Sequence, residues 1–354
     1  MGLCEKNIFE ISSCFIEITS VCNANCLYCY NNSSSNSKSY LSLETIHDLI
    51  NTLYSCNKRI SVTISGGEPM LHPDFTNILM LLDKLDIHAL INTNASLLHN
   101  RDDYIFLENC SFQVTLDSLI EKEQDSIRGS HSFSNIANLR SIIPKKSNTN
   151  ASLRINLTKK NCDYIDEFID KAIEWGYDEA SFGFLVPYGR AKNFDGIINR
   201  HDDPDLWSSI VNRLELQKKQ LGSAINLELV NCYPRTDCPF IYPDKLKISP
   251  RVASNGDIYP CLLCDDDKFI IGNIHDKPIT DILLDESFQA LSRVFIARAW
   301  EDGYIQECKV CAWKKICFKG CPAVAFETYK SFNNHDGNCD FLKRLYLKKA
   351  VRSS

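Results

Sequence analysis

Short runs of apolar residues alternate with longer amphipathic stretches over the first two thirds of the chain. Short apolar runs are typical of buried strands, and the longer stretches are typical of helices that cover a sheet. This order predicts an α/β fold of six strand–helix units around a parallel sheet. The candidate strands are Phe15–Thr19, Ile60–Ser65, Ala89–Asn92, Phe112–Leu116, Ser152–Leu157 and Ala180–Phe184.

The clearest helix is predicted from Asp163 to Trp175, where apolar residues recur at helical spacing. Asp163 is placed to cap its first turn and Gly176 to end it. Its expected apolar face consists of Ile165, Phe168, Ile169, Ala172 and Ile173. Other helices are predicted near Ser42–Tyr54, Phe75–Leu85, Phe133–Ile143 and Leu206–Leu221.

The pattern changes after about residue 222, where proline, glycine and cysteine become frequent. Only Ser287–Ala299 and Asp340–Ala350 have the pattern of helices there. We therefore predict an N-terminal extension over 1–12, a first domain over 13–221 and a cysteine-rich second domain over 222–354. The polar stretch Asn31–Ser39 is expected to be a mobile loop with nothing to bury.

Composition excludes several classes of protein. The chain has 354 residues, of which 44% are hydrophobic, and its formal charge of −6 leaves no extended basic surface for nucleic acid. No apolar run approaches the roughly 20 residues that span a bilayer, and the first residues lack a signal-peptide pattern. We expect a cytoplasmic protein with neither a nucleic-acid nor a membrane partner. Seventeen cysteines then point to metal binding rather than disulfides.

Three cysteines follow the first strand in a C-x3-C-x2-C loop, as Cys22, Cys26 and Cys29. Three thiolates on one turn can hold a 4Fe-4S cube and leave its fourth iron without a protein ligand. An open iron can chelate the amino and carboxylate groups of a methionine moiety. Structural zinc normally takes four protein ligands, so the trio is one short of a zinc site.

A second feature ends the second strand, as Gly66, Gly67, Glu68 and Pro69. Two glycines allow the backbone to approach a ligand closely, and the Glu68 carboxylate can accept a hydrogen bond from an ammonium group. Because parallel sheets bind ligands at the carboxyl ends of their strands, this position strengthens the prediction.

With these two motifs, residues 13–221 resemble the radical S-adenosylmethionine (SAM) superfamily, which implies a partial (β/α)6 TIM barrel. In that family the reduced cluster cleaves SAM to methionine and a 5′-deoxyadenosyl radical, which removes a hydrogen atom from the substrate. The resemblance implies that the three loop cysteines ligate the cluster, that Tyr28 packs on the adenine, and that Gly66, Gly67 and Glu68 hold the methionine end. Looser matches imply cofactor contacts from Asn94, Thr115, Arg128 and Arg154.

Eight further cysteines fall in the second domain, enough for two fully ligated 4Fe-4S clusters or for two zinc sites. They are Cys232, Cys238, Cys261, Cys308, Cys311, Cys317, Cys321 and Cys339. Their spacing resembles the SPASM extension of ribosomal-peptide maturases and anaerobic sulfatase-maturating enzymes. That resemblance implies two auxiliary clusters, one on Cys232, Cys238, Cys261 and Cys321 and one on Cys308, Cys311, Cys317 and Cys339. The predicted cofactors are thus SAM and three 4Fe-4S clusters.

The remaining cysteines, such as Cys56 and Cys110, fit as small buried apolar residues. Cys264 differs because only Leu262 and Leu263 separate it from Cys261, which places it beside a predicted auxiliary cluster. Three roles stay open for it: a spare cluster ligand, a catalytic thiol that returns a hydrogen atom to a substrate radical, or simple packing.

The SPASM resemblance implies a peptide substrate. The leading hypothesis is modification of a ribosomally made precursor peptide by an oxidative crosslink or by epimerisation, with a reducing partner of the flavodoxin or ferredoxin type. Since 21 residues precede Cys22 and 15 follow Cys339, we expect no leader-recognition domain, so a separate recognition protein is a further possible partner.

Two alternatives remain. One is formylglycine formation on a sulfatase, although those enzymes carry an aspartate where this chain has Leu262. The other, from a different class, is a non-catalytic iron–sulfur electron carrier, which would need neither an open iron nor an ammonium pocket.

Overall fold

The computed structural model describes residues 9–98, 109–143, 149–200, 202–231, 238, 240 and 246–344. These residues form a ten-stranded sheet and a separate two-stranded sheet. The strands are β1 (Phe9–Ile11), β2 (Ser13–Thr19), β3 (Ser61–Gly66), β4 (Ala89–Asn92), β5 (Cys110–Thr115), β6 (Ala151–Leu157), β7 (Glu179–Phe184), β8 (Asn226–Val230), β9 (Leu246–Ile248), β10 (Arg251–Val252), β11 (Asp257–Tyr259) and β12 (Gly272–Asn273).

Helices connect most of the strands of the first domain. Within the described part of the chain they are α1 (Leu43–Cys56), α2 (Phe75–Lys84), α3 (Glu121–Arg128), α4 (Ser132–Ala137), α5 (Leu139–Ile142), α6 (Ile165–Glu174), α7 (Pro204–Leu221), α8 (Ile279–Ile282), α9 (Glu286–Trp300), α10 (Lys314–Cys317) and α11 (Pro322–Tyr329). Residues 339–344 are also helical.

Strands β2 to β8 lie side by side in chain order, each parallel to the next. The six predicted strands correspond to β2–β7, which confirms the α/β fold, and the arrangement is consistent with a partial barrel. Strand β8 is an addition to the prediction. Its five residues alternate polar and apolar side chains, and such a short alternation is hard to separate from the turn-rich sequence around it.

The strands of the second domain extend the same sheet. β10 pairs in parallel with β2 on the edge away from β3, and β11 and β12 continue the sheet in antiparallel fashion. β9 pairs with β1 in the separate sheet. The segment that carries Cys261 and Cys264 therefore lies beside the first strand of the barrel.

The two faces of the parallel sheet differ in polarity. On one face Ile16, Ile64, Ile91 and Phe112 lie in register and belong, almost wholly buried, to the main hydrophobic core with the inner faces of the helices. On the other face, which we call the polar face, successive strands carry polar side chains in register. These are Glu17 beside Ser65, then Asn92, Gln113, Ser152 and Glu179, and nearer the carboxyl ends Thr115, Arg154, Ser181 and Glu228.

The first-domain helices differ from the prediction in three details. Helix α6 has Tyr164 at its N-cap and no side-chain cap, so the predicted cap by Asp163 is wrong, and Ile173 is 41% exposed rather than on the apolar face. Gly176, with a φ of 74°, follows the helix as predicted. The predicted helix Phe133–Ile143 is two short helices, α4 and α5, divided at Asn138.

Helix α3 has no apolar stripe from which it could be predicted. Its buried residue is the polar Gln124, which is 0% exposed. The Gln124 amide nitrogen donates to the Thr115 carbonyl and Ser132 Oγ, and its oxygen accepts from the backbone of Asp117 and Ser118. The helix is thus fixed by hydrogen bonds, which leave no periodic hydrophobic signal.

The second domain contains more helix than predicted. α9 corresponds to Ser287–Ala299, but α8, α10 and α11 are additions, and at four to eight residues they are too short for a clear period. Residues 339–344 match the start of the predicted helix Asp340–Ala350, and residues 345–350 lie outside the described part of the chain. The prediction for Cys110 agrees with its burial, whereas Cys56 is only half-buried.

Arg298 of α9 is 1% exposed and holds three backbone segments together. Its guanidinium donates to the carbonyl oxygens of Gly320 (2.7 Å), Lys319 (2.8 Å) and Asn334 (2.8 Å). Arg298→Met removes these charged donors and leaves buried carbonyls unpaired, so we expect a loss of at least about 3 kcal/mol in unfolding free energy. Chemical unfolding checks this. Arg213→Met, which removes a half-exposed pair with Asp166, should cost less than about 1 kcal/mol.

Candidate active site

The three-cysteine loop begins directly after β2. The Cys29 amide donates to the Cys26 carbonyl (3.3 Å), which closes the turn, and the Cys22 amide donates to Ser34 (3.1 Å). Cys22 is 8% exposed, while Cys26 and Cys29 are partly exposed. Burial, with smaller contributions from the charges of Glu68, Cys26 and Cys29, raises the pKa of Cys22 to about 12. The three thiols therefore share one site that is partly exposed to solvent.

The segment Asn31–Ser39 supports this loop, so the expectation of a stretch with nothing to bury is wrong. Ser34 forms a bridge with Val21, and the Ser20 amide donates to the Ser39 carbonyl (2.8 Å). Ser33 is 1% exposed. Serines and asparagines pack here through hydrogen bonds, which composition alone does not reveal.

Gly66 and Gly67 lie in contact with the backbone that leads into the cysteine loop. The Gly67 amide donates to the Thr19 carbonyl (2.7 Å) and the Glu68 amide to the Val21 carbonyl (2.9 Å). A Cβ on Gly66 would lie 2.1 Å from the Thr19 oxygen, and one on Gly67 would lie 2.1 Å from the Val21 oxygen. Both glycines are thus required by close packing, whatever ligand they also approach.

The Glu68 side chain is 0% exposed. Its carboxylate accepts hydrogen bonds from Thr93 Oγ1 (2.8 Å), the Asn94 amide (2.8 Å) and the Met70 amide (3.2 Å). The Asn94 side chain in turn donates to Asn23 in the cysteine loop (2.8 Å). Glu68 and Asn94 therefore connect the ends of β3 and β4 to the cluster loop, and the predicted contact of Glu68 with a ligand ammonium stays a prediction.

An ion pair between the partly buried Arg128 and the buried Asp117 lies beside Cys26. The Arg128 Nε donates to the Asp117 carboxylate (2.5 Å), and Asp117 is 4% exposed. The Arg128 carbonyl accepts a weak hydrogen bond from Cys26 Sγ (3.7 Å). Asn156 reaches the other Asp117 oxygen from β6 (3.3 Å). Arg128 thus holds the cluster loop against the carboxyl ends of β5 and β6.

The other residues predicted to contact the cofactor are Thr115, Arg154 and Tyr28. Thr115 and Arg154 lie in register on the polar face, and the Arg154 guanidinium donates to Asn156 (3.3 Å) and Ser181 (3.2 Å). Tyr28 packs against Phe194, with ring centroids 4.7 Å apart. Burial raises the pKa of Tyr28 to about 12. Its ring is thus part of a small apolar cluster beside the loop.

Arg190 is a site residue that the sequence reasoning missed. Its Nε donates to the Cys26 carbonyl (2.7 Å), its Nη1 to the Ser33 carbonyl (3.0 Å), and its amide to the Cys29 carbonyl (2.9 Å). Gly189 brings it there, because a Cβ at that position would lie 2.3 Å from the Cys29 oxygen. The available signal was the Tyr188-Gly189-Arg190 sequence soon after a barrel strand.

Arg190→Met should weaken the cluster site, because it removes both side-chain hydrogen bonds to the loop. We expect reconstituted protein to lose a large share of about four irons per chain, with the remaining clusters retained. Iron and sulfide analysis measures this, with Arg213→Met as a matched exposed control. Equal iron in both variants would show that Arg190 does not support the loop.

Three cysteines predicted for the first auxiliary site, Cys238, Cys261 and Cys321, lie near one another. Cys264 lies among them. Cys264 is 1% exposed, and burial raises its pKa well above the ordinary value; the charges of Cys261, Cys321 and Cys238 raise it further. The Cys264 amide donates to the Cys261 carbonyl (3.0 Å). Cys232, the predicted fourth ligand, lies outside the described residues.

The second auxiliary site contains Cys308, Cys311, Cys317 and Cys339. Burial, with smaller contributions from the charges of Asp336, Cys308 and Cys317, raises the pKa of Cys339 to about 12. Desolvation likewise raises the pKa of Cys317, with Cys308 and Cys311 among the added causes. The four predicted ligands of the second auxiliary site thus lie close enough to influence one another's pKa.

Asp336 joins the two auxiliary sites. Its carboxylate accepts from the amides of Cys321 (3.0 Å) and Asn338 (3.2 Å), the residue before Cys339. Gly320 lets it approach, with a φ of 78° and a hypothetical Cβ 2.1 Å from the Asp336 carboxyl carbon. No sequence signal marked Asp336, which acts through backbone amides.

A single metal ion requires donor side chains that converge on one point. Within the described part of the chain, no three His, Cys, Asp or Glu side chains converge on one metal ion. Thiolates that hold a cubane bind different irons and therefore stand farther apart than the ligands of one zinc. The thiols at the three predicted sites are grouped without converging on one metal ion, and their assignment to 4Fe-4S clusters stays a prediction.

Comparisons with known proteins agree with this arrangement. Residues 16–172 match the Radical SAM superfamily and residues 246–312 match SPASM, an iron-sulfur cluster-binding domain. The mycofactocin maturase MftC of Mycolicibacterium smegmatis is 24% identical over 91% of this chain and 81% of its own length. The AdoMet-dependent heme synthase of Methanosarcina barkeri is 22% identical over 91% of this chain and 94% of its own.

Two solved structures share the fold. Streptococcus suis SuiB bound to the precursor peptide SuiA gives a TM-score of 0.70 at 18% identity, over 92% of this chain and 75% of SuiB. Native anSMEcpe with bound AdoMet gives 0.70 at 18% identity, over 96% of this chain and 97% of that one.

The chain belongs to the radical SAM superfamily and is a SAM-dependent iron–sulfur enzyme with a C-terminal SPASM domain. No described helix is long and apolar enough to cross a membrane.

Proposed function

We propose that the enzyme modifies a ribosomally made precursor peptide by hydrogen-atom abstraction, and that the product is an oxidative crosslink. The observation that carries this proposal is the placement of a cysteine-rich auxiliary site beside the first barrel strand, through the pairing of β10 with β2. Relatives named as maturases of mycofactocin and a SuiB structure with a precursor peptide support a peptide substrate.

The proposed cofactors are SAM and three 4Fe-4S clusters. Cys22, Cys26 and Cys29 would hold the first cluster. Cys232, Cys238, Cys261 and Cys321 would hold one auxiliary cluster, and Cys308, Cys311, Cys317 and Cys339 the other. When bound, the reduced first cluster supplies SAM cleavage and a radical that can remove hydrogen from carbon.

The chain's own residues would orient the reactants. Glu68, Asn94 and Arg190 fix the cluster loop, and Arg128 holds it against the ends of β5 and β6. Gly66 and Gly67 would allow the methionine end of SAM to approach the backbone. Thr115 and Arg154 would offer polar groups on the polar face of the sheet, which is the face that does not pack against the helices. Precise positioning of this kind is the protein's main contribution to such chemistry.

The burial of Cys264 favours a crosslink over epimerisation. A thiol that returns a hydrogen atom has to reach the substrate, and Cys264 is 1% exposed among other cysteines. A crosslink instead requires an electron acceptor, which fully ligated auxiliary clusters would provide. Formylglycine formation is disfavoured because half-exposed Leu262 occupies the position of the expected base.

The test is incubation of the reduced, reconstituted enzyme with SAM and candidate precursor peptides encoded near its gene, followed by mass spectrometry. A product lighter by two hydrogens, with a new bond located by fragmentation, supports the proposal. A product of unchanged mass in H2O that gains one deuterium when the reaction is run in D2O would indicate epimerisation instead. Supply of electrons from a flavodoxin or ferredoxin, in place of a chemical reductant, tests the proposed reducing partner.

A further inference from the structure

A buried guanidinium connects the first barrel strand with the first auxiliary site. Arg251 lies on β10, opposite Phe15 of β2 and Tyr259 of β11, and is 4% exposed. Its guanidinium carbon lies 4.0 Å from the centre of the Tyr259 ring. Burial of a charge from water costs free energy unless hydrogen bonds and opposite charges compensate for it.

The guanidinium faces the auxiliary site directly. Its Nη2 donates to the Cys264 carbonyl oxygen (3.3 Å), and its Nη1 donates to the Asp265 carboxylate (3.2 Å). Cys264 is the residue that lies among Cys238, Cys261 and Cys321. The charge of Arg251 is thus held against the backbone of Cys264, a residue that lies among the proposed ligands of the first auxiliary cluster.

Two carboxylates oppose this charge. Glu17 of β2 lies 3.6 Å from Arg251 Nη1 and is 1% exposed, and Asp265 lies nearer the auxiliary site. Tyr30, the residue after Cys29, donates to Glu17 (3.1 Å). Glu17, Arg251 and Asp265 also line a cavity of about 260 Å³ with Asn31. The charges therefore border the space between the radical-cluster loop and the auxiliary loop.

We propose that Arg251 is a positioning residue that raises the reduction potential of the first auxiliary cluster, so that this cluster can accept an electron from the substrate radical. A nearby positive charge and hydrogen bonds stabilise the more negative, reduced state of a cluster, and low solvent exposure strengthens both effects. The negative charge of Asp265 acts in the opposite direction and lowers the reduction potential of the same cluster. This inference rests on the proposed function, because it requires the auxiliary cluster.

The experiment is an EPR-monitored redox titration of full-length reconstituted protein, after iron analysis of every sample. Added SAM identifies the signal of the radical cluster, because only a cluster with an open iron binds it. Arg251→Met should shift one auxiliary midpoint to lower potential. Asp265→Asn should shift the same midpoint to higher potential, and Arg251→Lys should lie between wild type and Arg251→Met. Arg213→Met, on the outside of the barrel, should leave all midpoints unchanged.

Opposite shifts in Arg251→Met and Asp265→Asn support the inference, because mere loosening of the fold would move both in one direction. An unchanged midpoint in iron-replete Arg251→Met, or equal shifts in both variants, overturns it. If Arg251→Met loses the cluster, Asp265→Asn decides: a rise supports the inference and no rise overturns it. Wild-type protein with only about four irons would instead contradict the proposed function itself.

Discussion

Replacement of Cys22, Cys26 and Cys29 by alanine should lower the iron content of anaerobically reconstituted protein from about 12 to about 8 per chain. The three thiols share one site whose position is fixed by hydrogen bonds between the loop backbone and Ser34, Arg190 and the end of β3, so the change should remove one cluster and leave the second domain intact. Iron and sulfide analysis measures how much iron is lost and how much the second domain keeps, and the loss of all SAM-dependent spectral change shows that the missing cluster is the one that binds SAM.

The control is a variant that removes buried thiols without a predicted ligand role. Cys110→Ala and Cys162→Ala should each keep about 12 irons, because both residues belong to the hydrophobic core. A wild-type content near four would mean that the second-domain cysteines hold no iron clusters. A triple variant that still contains about 12 would show that the loop is not a cluster site.

Gly67→Ala should abolish SAM binding and destabilise the first cluster. The new methyl group would lie 2.1 Å from the Val21 oxygen and 2.9 Å from the Ser20 oxygen, both on the backbone that leads to Cys22. Backbone atoms cannot rotate away, so the segment must shift and carry the cysteine with it. We expect a loss of SAM binding of at least about a hundredfold, measured by equilibrium dialysis under reducing conditions.

Gly222→Ala is the matched control for this change. Gly222 has a φ of 55°, where an alanine strains the backbone, but no atom lies within 4 Å of its hypothetical Cβ, so the substitution lowers stability without a clash. SAM binding should be retained. Comparable losses in both variants would mean that the effect of Gly67→Ala reflects general destabilisation rather than contact with the cysteine loop.

Much of the barrel could be predicted from the sequence because its information is local and periodic. Strands β2–β7 are short apolar runs, and α1 buries Ile46, Leu49, Ile50 and Leu53 at regular spacing below a Ser42 cap. Helix α3 could not be predicted this way, since the hydrogen bonds of Gln124 replace an apolar stripe. The short helices and strands of the second domain are positioned by tertiary contacts such as those of Arg298.

The candidate site likewise contains residues that could be predicted from the sequence and residues that could not. The cysteine loop and the Gly66–Glu68 turn have motifs of fixed spacing, which is why they could be proposed from sequence. Arg190, Asp336 and Arg251 act through backbone carbonyls or amides of residues far away in the chain. A side chain whose partner is a distant backbone group leaves no pattern in its own surroundings, so these residues emerge only from the three-dimensional structure.

The most direct test of the central claim is the formation of 5′-deoxyadenosine from SAM by the reduced, reconstituted enzyme, measured by chromatography and mass spectrometry. Our account predicts 5′-deoxyadenosine and methionine from the wild type and none from the Cys22, Cys26 and Cys29 triple alanine variant. An iron-replete wild type that forms no 5′-deoxyadenosine, with or without candidate peptides, would contradict the account and leave the chain as an iron–sulfur electron carrier.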